Sequence, residues 1–86
     1  MKPVIMFVTS WCPHCRNASK ILRELRSAHP EYADIAVDVV DEEKNQKLSA
    51  SFDYYYVPTI YVGGRKMLEG VPTRDKIEAA LKYALE

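Results

Sequence analysis

The chain has 86 residues, of which 48% are hydrophobic; this suits one small packed core and leaves little room for a second domain or a disordered tail. Its 12 basic residues balance 12 acidic ones, so neither a nucleic-acid surface nor a polyanion-binding protein is indicated. No apolar run approaches the roughly 20 residues of a membrane span, and the apolar start "VIMFV" is shorter than the ~7–15 residues of a signal-peptide core; residues 1–86 therefore read as one cytoplasmic domain with no membrane or nucleic-acid partner.

Val4 to Val8 is a continuous apolar run ending in Thr9-Ser10, the pattern of a strand buried on both faces and central in its sheet. From Pro13 to about Ala28, the apolar positions Cys15, Ala18, Leu22 and Leu25 recur at three- and four-residue spacing, with Arg16, Lys20, Arg23, Glu24 and Arg26 mostly elsewhere. That spacing predicts an amphipathic helix, stopped at His29-Pro30 because the residue before a proline is pushed out of the helical region. Asp34 to Val40 is rich in β-branched residues and puts Ile35, Val37 and Val39 on one face, as in a second strand. Strand, helix and strand in this order make a right-handed parallel unit. Asp41 stands where it caps a short helix through Glu42, Lys47 and Leu48 to about Phe52.

Pro58 cannot donate a ladder hydrogen bond, so a third strand begins just after it and covers about Thr59 to Val62. Gly63-Gly64 between two strand-like runs predicts a tight hairpin. Thr73 then caps a last helix whose Ile77, Ala80, Leu81, Ala84 and Leu85 share one buried face. The order β-α-β-α-β-β-α implies an α/β fold: a four-stranded mixed sheet flanked by three helices.

The only two cysteines lie in the run Trp11-Cys12-Pro13-His14-Cys15 at the carboxyl end of the first strand, where open α/β sheets bind their ligands. Pro13 suits the first helical position, so the unpaired N–H groups of the helix start point toward the Cys12 sulfur and favour a thiolate there. Cys15 lies one turn further along the same face, within reach of a reversible disulfide. No Asp or Glu precedes Glu24, while Lys2, Arg16, Lys20 and Arg23 are basic; nothing nearby in the chain opposes a negative sulfur. A structural disulfide across so short a loop adds little stability and is disfavoured in a reducing compartment. A structural zinc needs four ligands, and His29, about 20 Å down the helix at 1.5 Å per residue, cannot join the pair. No cofactor and no resident metal are expected, a metal shared between two chains being the remaining alternative to redox chemistry.

With Val57-Pro58-Thr59 opening the third strand and a hairpin following it, the arrangement resembles the thioredoxin superfamily over nearly the whole chain. The resemblance implies that Cys12 is the attacking sulfur and that Cys15 resolves the mixed disulfide. It also implies a cis Val57-Pro58 peptide, whose backbone is offered to an extended substrate. The length and the Gly63-Gly64 hairpin look like a glutaredoxin. Glutaredoxins, however, usually carry Pro-Tyr between the cysteines, a basic residue shortly before the first, and Gly-Gly-x-Asp after the hairpin to hold glutathione. The matching places here read Pro13-His14, Thr9-Ser10 and Leu68-Glu69-Gly70-Val71. Trp11, the spacing of Phe52, Tyr54 and Val57, and Gly70 before the last helix look more like a thioredoxin. The buried acid of thioredoxin's central strand falls at Met6, so proton transfer from Cys15 is expected to depend on water or another group. Pro-His is also the central pair of the bacterial periplasmic disulfide-forming oxidase, and a protonated His14 beside the Cys12 sulfur would raise the redox potential.

The resulting site has Cys12 and Cys15 as catalytic pair and Pro13 and His14 as tuning residues. Trp11, Val57, Pro58, Thr59, Gly70 and Val71 are expected to contact substrate, with Tyr54, Tyr55 and Tyr56 walling the groove. The expected protein is a monomeric thiol–disulfide oxidoreductase acting on disulfide-containing proteins or glutathione, and recharged by thioredoxin reductase or the glutathione system. A glutathione-dependent glutaredoxin and a metal or iron–sulfur binding module are the alternatives.

Overall fold

The computed structural model describes residues 1–86. Its strands are β1 (Val4–Val8), β2 (Val37–Asp41), β3 (Thr59–Val62) and β4 (Arg65–Glu69), in the sheet order β2-β1-β3-β4. β1 is parallel to β2, and the other neighbours are antiparallel. β1 is internal, as its unbroken apolar run predicts, and it feeds both sides of the sheet. Val4 and Met6 enter the larger core, while Phe7 points to the opposite face.

Helix α1 (Pro13–Ala28) buries Cys15, Ala18, Leu22 and Leu25, leaves Arg16, Lys20 and Arg23 exposed and keeps Arg26 half-buried, its Nη2 donating to the Ala33 carbonyl at 3.1 Å. It ends where Pro30 forces His29 into an extended conformation. The chain does not then pass straight to β2. Pro30 opens a short extra helix, α2 (Pro30–Ala33), which buries Tyr32 and ties to the last helix through the Tyr32 hydroxyl donating to Glu78 Oε2 at 2.8 Å. The helices thus number four rather than three, because a proline that ends one helix is well suited to the first turn of the next.

That extra turn delays β2, which starts at Val37 instead of Asp34: the Ile35 amide still donates to the Tyr32 carbonyl (3.2 Å). β2 is also an edge strand, so Val39 stays exposed although it shares a face with Val37. Val40 is instead buried on the other face, against Phe7 and Tyr61. Asp41 remains in β2 and caps a turn rather than a helix, its Oδ1 accepting from the Glu43 amide at 2.9 Å. The helix that follows, α3 (Gln46–Ala50), begins after Asn45 and stops short of Phe52. Phe52 packs on Phe7, ring centroids 4.9 Å apart.

Gly63 and Gly64 have φ of 57° and 83°, left-handed values that a two-residue hairpin requires and that glycine adopts without penalty. Thr73 caps helix α4 (Arg74–Leu85), its hydroxyl accepting from the Lys76 amide at 3.2 Å. Ile77, Ala80, Leu81 and Ala84 are buried. Leu85 is exposed, one residue round the helix from that stripe. α1 and α4 thus cover one face over the larger core, where each fully buried Leu or Ile contributes about 1.5–3 kcal/mol. The other face is closed by an aromatic cluster of Phe7, Phe52, Tyr54 and Tyr61.

Candidate active site

β1 ends at Val8 and a short turn leads to Cys12, the N-cap of α1, with Pro13 at the first helical position. The first turn of a helix leaves amides without partners, and here a sulfur meets one of them. The Cys15 N–H donates to Cys12 Sγ at 3.1 Å, while the Cys12 thiol faces the Val57 carbonyl at 3.8 Å. Both cysteines are free thiols.

Cys12 is only 5% exposed, and Cys15 4%. Cys12 lies on the floor of a groove of about 340 Å³ whose walls come from its own turn (Thr9, Trp11, Pro13, His14), from the segment before β3 (Tyr55, Tyr56, Val57) and from Glu42. Trp11, 67% exposed, stands on the rim with Tyr55 and Tyr56. The Cys15 thiol is pushed up to about 12. Burial is the main cause, followed by the hydrogen bond with Cys12 and the charges of Cys12 and Glu42, against a bond at the Thr9 backbone that works the other way. Met6, where an acid would sit under the pair in thioredoxin, is fully buried among apolar side chains.

The Val57–Pro58 peptide is cis. Val57 lies in the groove, but Pro58 and Thr59 do not line it. Both are buried, and the Thr59 hydroxyl donates to the Tyr56 carbonyl, which ties Thr59 to the segment before β3. Gly70, with φ of 87°, donates its amide to the Pro58 carbonyl at 2.9 Å. Val71 is exposed, outside the groove lining. Of the thirteen residues expected at the site or its walls, the structure gathers Trp11, Cys12, Pro13, His14, Tyr55, Tyr56 and Val57 at the groove and Cys15 beneath Cys12. It leaves Pro58, Thr59, Gly70 and Val71 outside the groove lining, and Tyr54 too, whose ring packs on Phe7 instead.

Two carboxylates escaped the reading of the sequence. Glu69, at the end of β4, accepts at Oε2 from the amides of Tyr55 and Tyr56 (3.0 Å for Tyr56) and at Oε1 from Lys66 Nζ at 2.8 Å. Those bonds, Lys66 first, hold its carboxyl down to about 2. Glu42 accepts from the Tyr54 hydroxyl at 2.7 Å. Burial, then Glu42, pushes the Tyr54 phenol up to about 12, so that it stays a donor. The antiparallel pairing of Thr59 with Glu69 and the parallel pairing of Val8 with Asp41 are what bring these acids to the site.

On the other side of the pair, Cys15 borders a hollow of about 450 Å³ that includes Ser10, Arg16, Ser19 and Arg23. A further depression of about 440 Å³ between α1 and β2 contains neither cysteine.

A family model described as Glutaredoxin matches residues 4–67. The chain is 33% identical over 90 aligned positions to a thioredoxin of Alicyclobacillus acidocaldarius, covering 99% of this chain and 84% of that one. It is 26% identical over 80 positions to a thioredoxin of Methanocaldococcus jannaschii, covering 93% and 92% respectively. The solved structure of a mutant thioredoxin from Halobacterium salinarum has the same fold, with a TM-score of 0.73 at 21% identity over 99% of this chain and 75% of that one.

Proposed function

The chain belongs to the thioredoxin superfamily of thiol–disulfide oxidoreductases, and from that premise we propose that it reduces disulfides of proteins through Cys12 and Cys15. The observation that carries the reading is the helix start: Cys12 Sγ accepts the Cys15 amide at 3.1 Å on the floor of an aromatic-walled groove. Deprotonated Cys12 attacks one sulfur of the substrate disulfide, forms a mixed disulfide and releases the first substrate thiolate. Cys15 gives up its proton and attacks the Cys12 sulfur. The internal disulfide forms and the second substrate thiolate leaves, so the protein is oxidised by two electrons and the substrate reduced by two. An external donor restores the thiols with two electrons: either the dithiol of a reductase of the thioredoxin-reductase class, or two glutathione molecules that leave as glutathione disulfide. The protein works in a reducing compartment, where such a pair rests as thiols.

In this scheme Trp11, Tyr55, Tyr56 and Val57 receive the substrate chain, and the Val57 carbonyl lies beside the reacting sulfur. Pro13 and His14 tune the pair. When protonated, an imidazole on the groove wall would favour the reduced, anionic form and set the potential above the value of about −270 mV typical of thioredoxin. Equilibration with glutathione buffers measures it, and a value at or below that figure rejects the tuning role.

The test of the main reading is a Cys15→Ser protein, which must accumulate a covalent adduct with a disulfide substrate, seen as added mass. Cys12→Ser must abolish turnover. Absence of the adduct under conditions where the parent turns over refutes the assigned roles. The glutaredoxin family match supports a second reading, glutathione-dependent turnover. Recycling by glutathione and its reductase, compared with recycling by thioredoxin reductase, decides between them.

A further inference from the structure

The groove over Cys12 holds one carboxylate and neither lysine nor arginine. Its carboxylate arrives through the topology. β2 runs parallel to β1 with Asp41 opposite Val8, and the Glu42 amide donates to the Val8 carbonyl at 3.0 Å. The side chain is then fixed by the Tyr54 hydroxyl at Oε1 (2.7 Å), and the Tyr54 ring stacks on buried Phe7 with centroids 5.0 Å apart. Bases of α1 open elsewhere: Arg16 and Arg23 line the hollow beside Cys15. His14 is the only nitrogen base on the Cys12 wall.

We propose that Glu42 is a charge selector for the incoming disulfide. It favours substrates that carry a cation next to the disulfide, such as polypeptide segments with a neighbouring Lys or Arg. It disfavours anionic small disulfides, glutathione disulfide included. The selector rests on Cys12 being the attacking sulfur, because only a substrate bound over Cys12 meets Glu42. Across several ångströms of half-wet groove, one unit charge changes the rate by roughly threefold to tenfold, and added salt weakens the effect.

Three small disulfides that differ in charge give the test: cystamine with two ammonium groups, neutral bis(2-hydroxyethyl) disulfide, and 3,3′-dithiodipropionate with two carboxylates. The rate at which the reduced protein consumes each is measured for the parent and for Glu42→Gln, whose amide oxygen still accepts from Tyr54 while the charge is gone. The ratio of the two rates cancels differences in leaving group. Relative to the neutral disulfide, that ratio is expected to rise roughly threefold to tenfold for cystamine and to fall by a similar factor for the dicarboxylate. Both shifts shrink in high salt. Glu42→Lys, once its melting curve shows that it is folded, should reverse the order. Ratios that agree within twofold for all three disulfides overturn the selector while leaving the exchange reaction intact. Failure of the parent to reduce the neutral disulfide at all brings down the exchange reaction itself, and the selector with it.

Discussion

In a Cys12→Ser protein, Cys15 is the only thiol left, and its alkylation by iodoacetamide reports how much of it is ionised. Serine is a favoured N-cap, so the start of α1 keeps a capping group while the neighbouring sulfur is removed. In the parent protein the Cys15 thiol is pushed up to about 12, first by burial and then by its bond with Cys12 and the nearby charges. At pH 7 such a thiol is ionised to about one part in 10⁵, against about 3% for a free cysteine near 8.5, a ratio of roughly 3,000. Losing Cys12 removes two of the raising causes but not burial, the largest. Alkylation should therefore be at least roughly 100-fold slower than for a free cysteine peptide. Slow access alone would give a low rate with an ordinary pH profile, so the profile is the sharper readout. The rate should climb about tenfold per pH unit and keep climbing past about pH 9, where a free cysteine levels off. Mass spectrometry of quenched samples gives the rates. A plateau near pH 8.5, with a rate within tenfold of free cysteine, would refute the argument that burial holds the proton on Cys15. It would also remove the need for a proton acceptor when Cys15 attacks.

Glu69, held down to about 2 against an ordinary value of 4.5, stabilises the fold fully above that ordinary value and loses the contribution as pH falls through its folded value. Acid unfolding followed by Trp11 fluorescence should thus be shallower between about pH 5 and 2 in Glu69→Gln than in the parent, and superimposable curves would contradict the anchoring of Tyr55 and Tyr56 by this carboxylate. Phe7→Ala empties the centre of the aromatic face, where Phe7 is fully buried against Phe52 and Tyr54; urea unfolding should show a loss of about 3–5 kcal/mol, and a loss below about 1 kcal/mol would mean that the cluster is not packed as described. Thr73→Ala removes the cap on the Lys76 amide at a cost of about 1 kcal/mol with the rate of disulfide exchange unchanged, since α4 begins away from the groove; a change in rate without a change in stability would contradict that separation.

The elements legible in the sequence are those whose local signals and tertiary environment agree. α1 is bounded by Pro13 and Pro30 and carries a clean apolar stripe; its observed span is Pro13–Ala28. The Gly63-Gly64 hairpin and the Thr73 cap have equally local causes. The misplaced elements are those where a local propensity was overruled by position. The β-branched run before Val40 begins as the exit from α2, and Val39 is solvent-facing because β2 has no neighbour beyond it. Asp41 is a good helix cap by type, yet its pairing with Val8 keeps it in the sheet. Edge position and register belong to the assembled sheet, and no window of residues along the chain reports them.

The site divides along the same line. Cys12, Pro13, His14 and Cys15 are neighbours in the chain, so their juxtaposition at the start of α1 is legible from spacing alone. Their electrostatics are not. Reading only the residues around the cysteines finds no acid before Glu24 and predicts an electropositive setting. The fold adds Glu42 from the end of a parallel strand and Glu69 from the end of an antiparallel one, the first on the groove wall and the second bound to the Tyr55 and Tyr56 amides. In a sheet whose active residues lie at strand ends, each neighbouring strand delivers its terminal side chains to the same place. The charge around a reactive sulfur is therefore set by pairing partners far away in sequence, and for this protein those partners are acidic while the local bases of α1 turn to the opposite side of the pair.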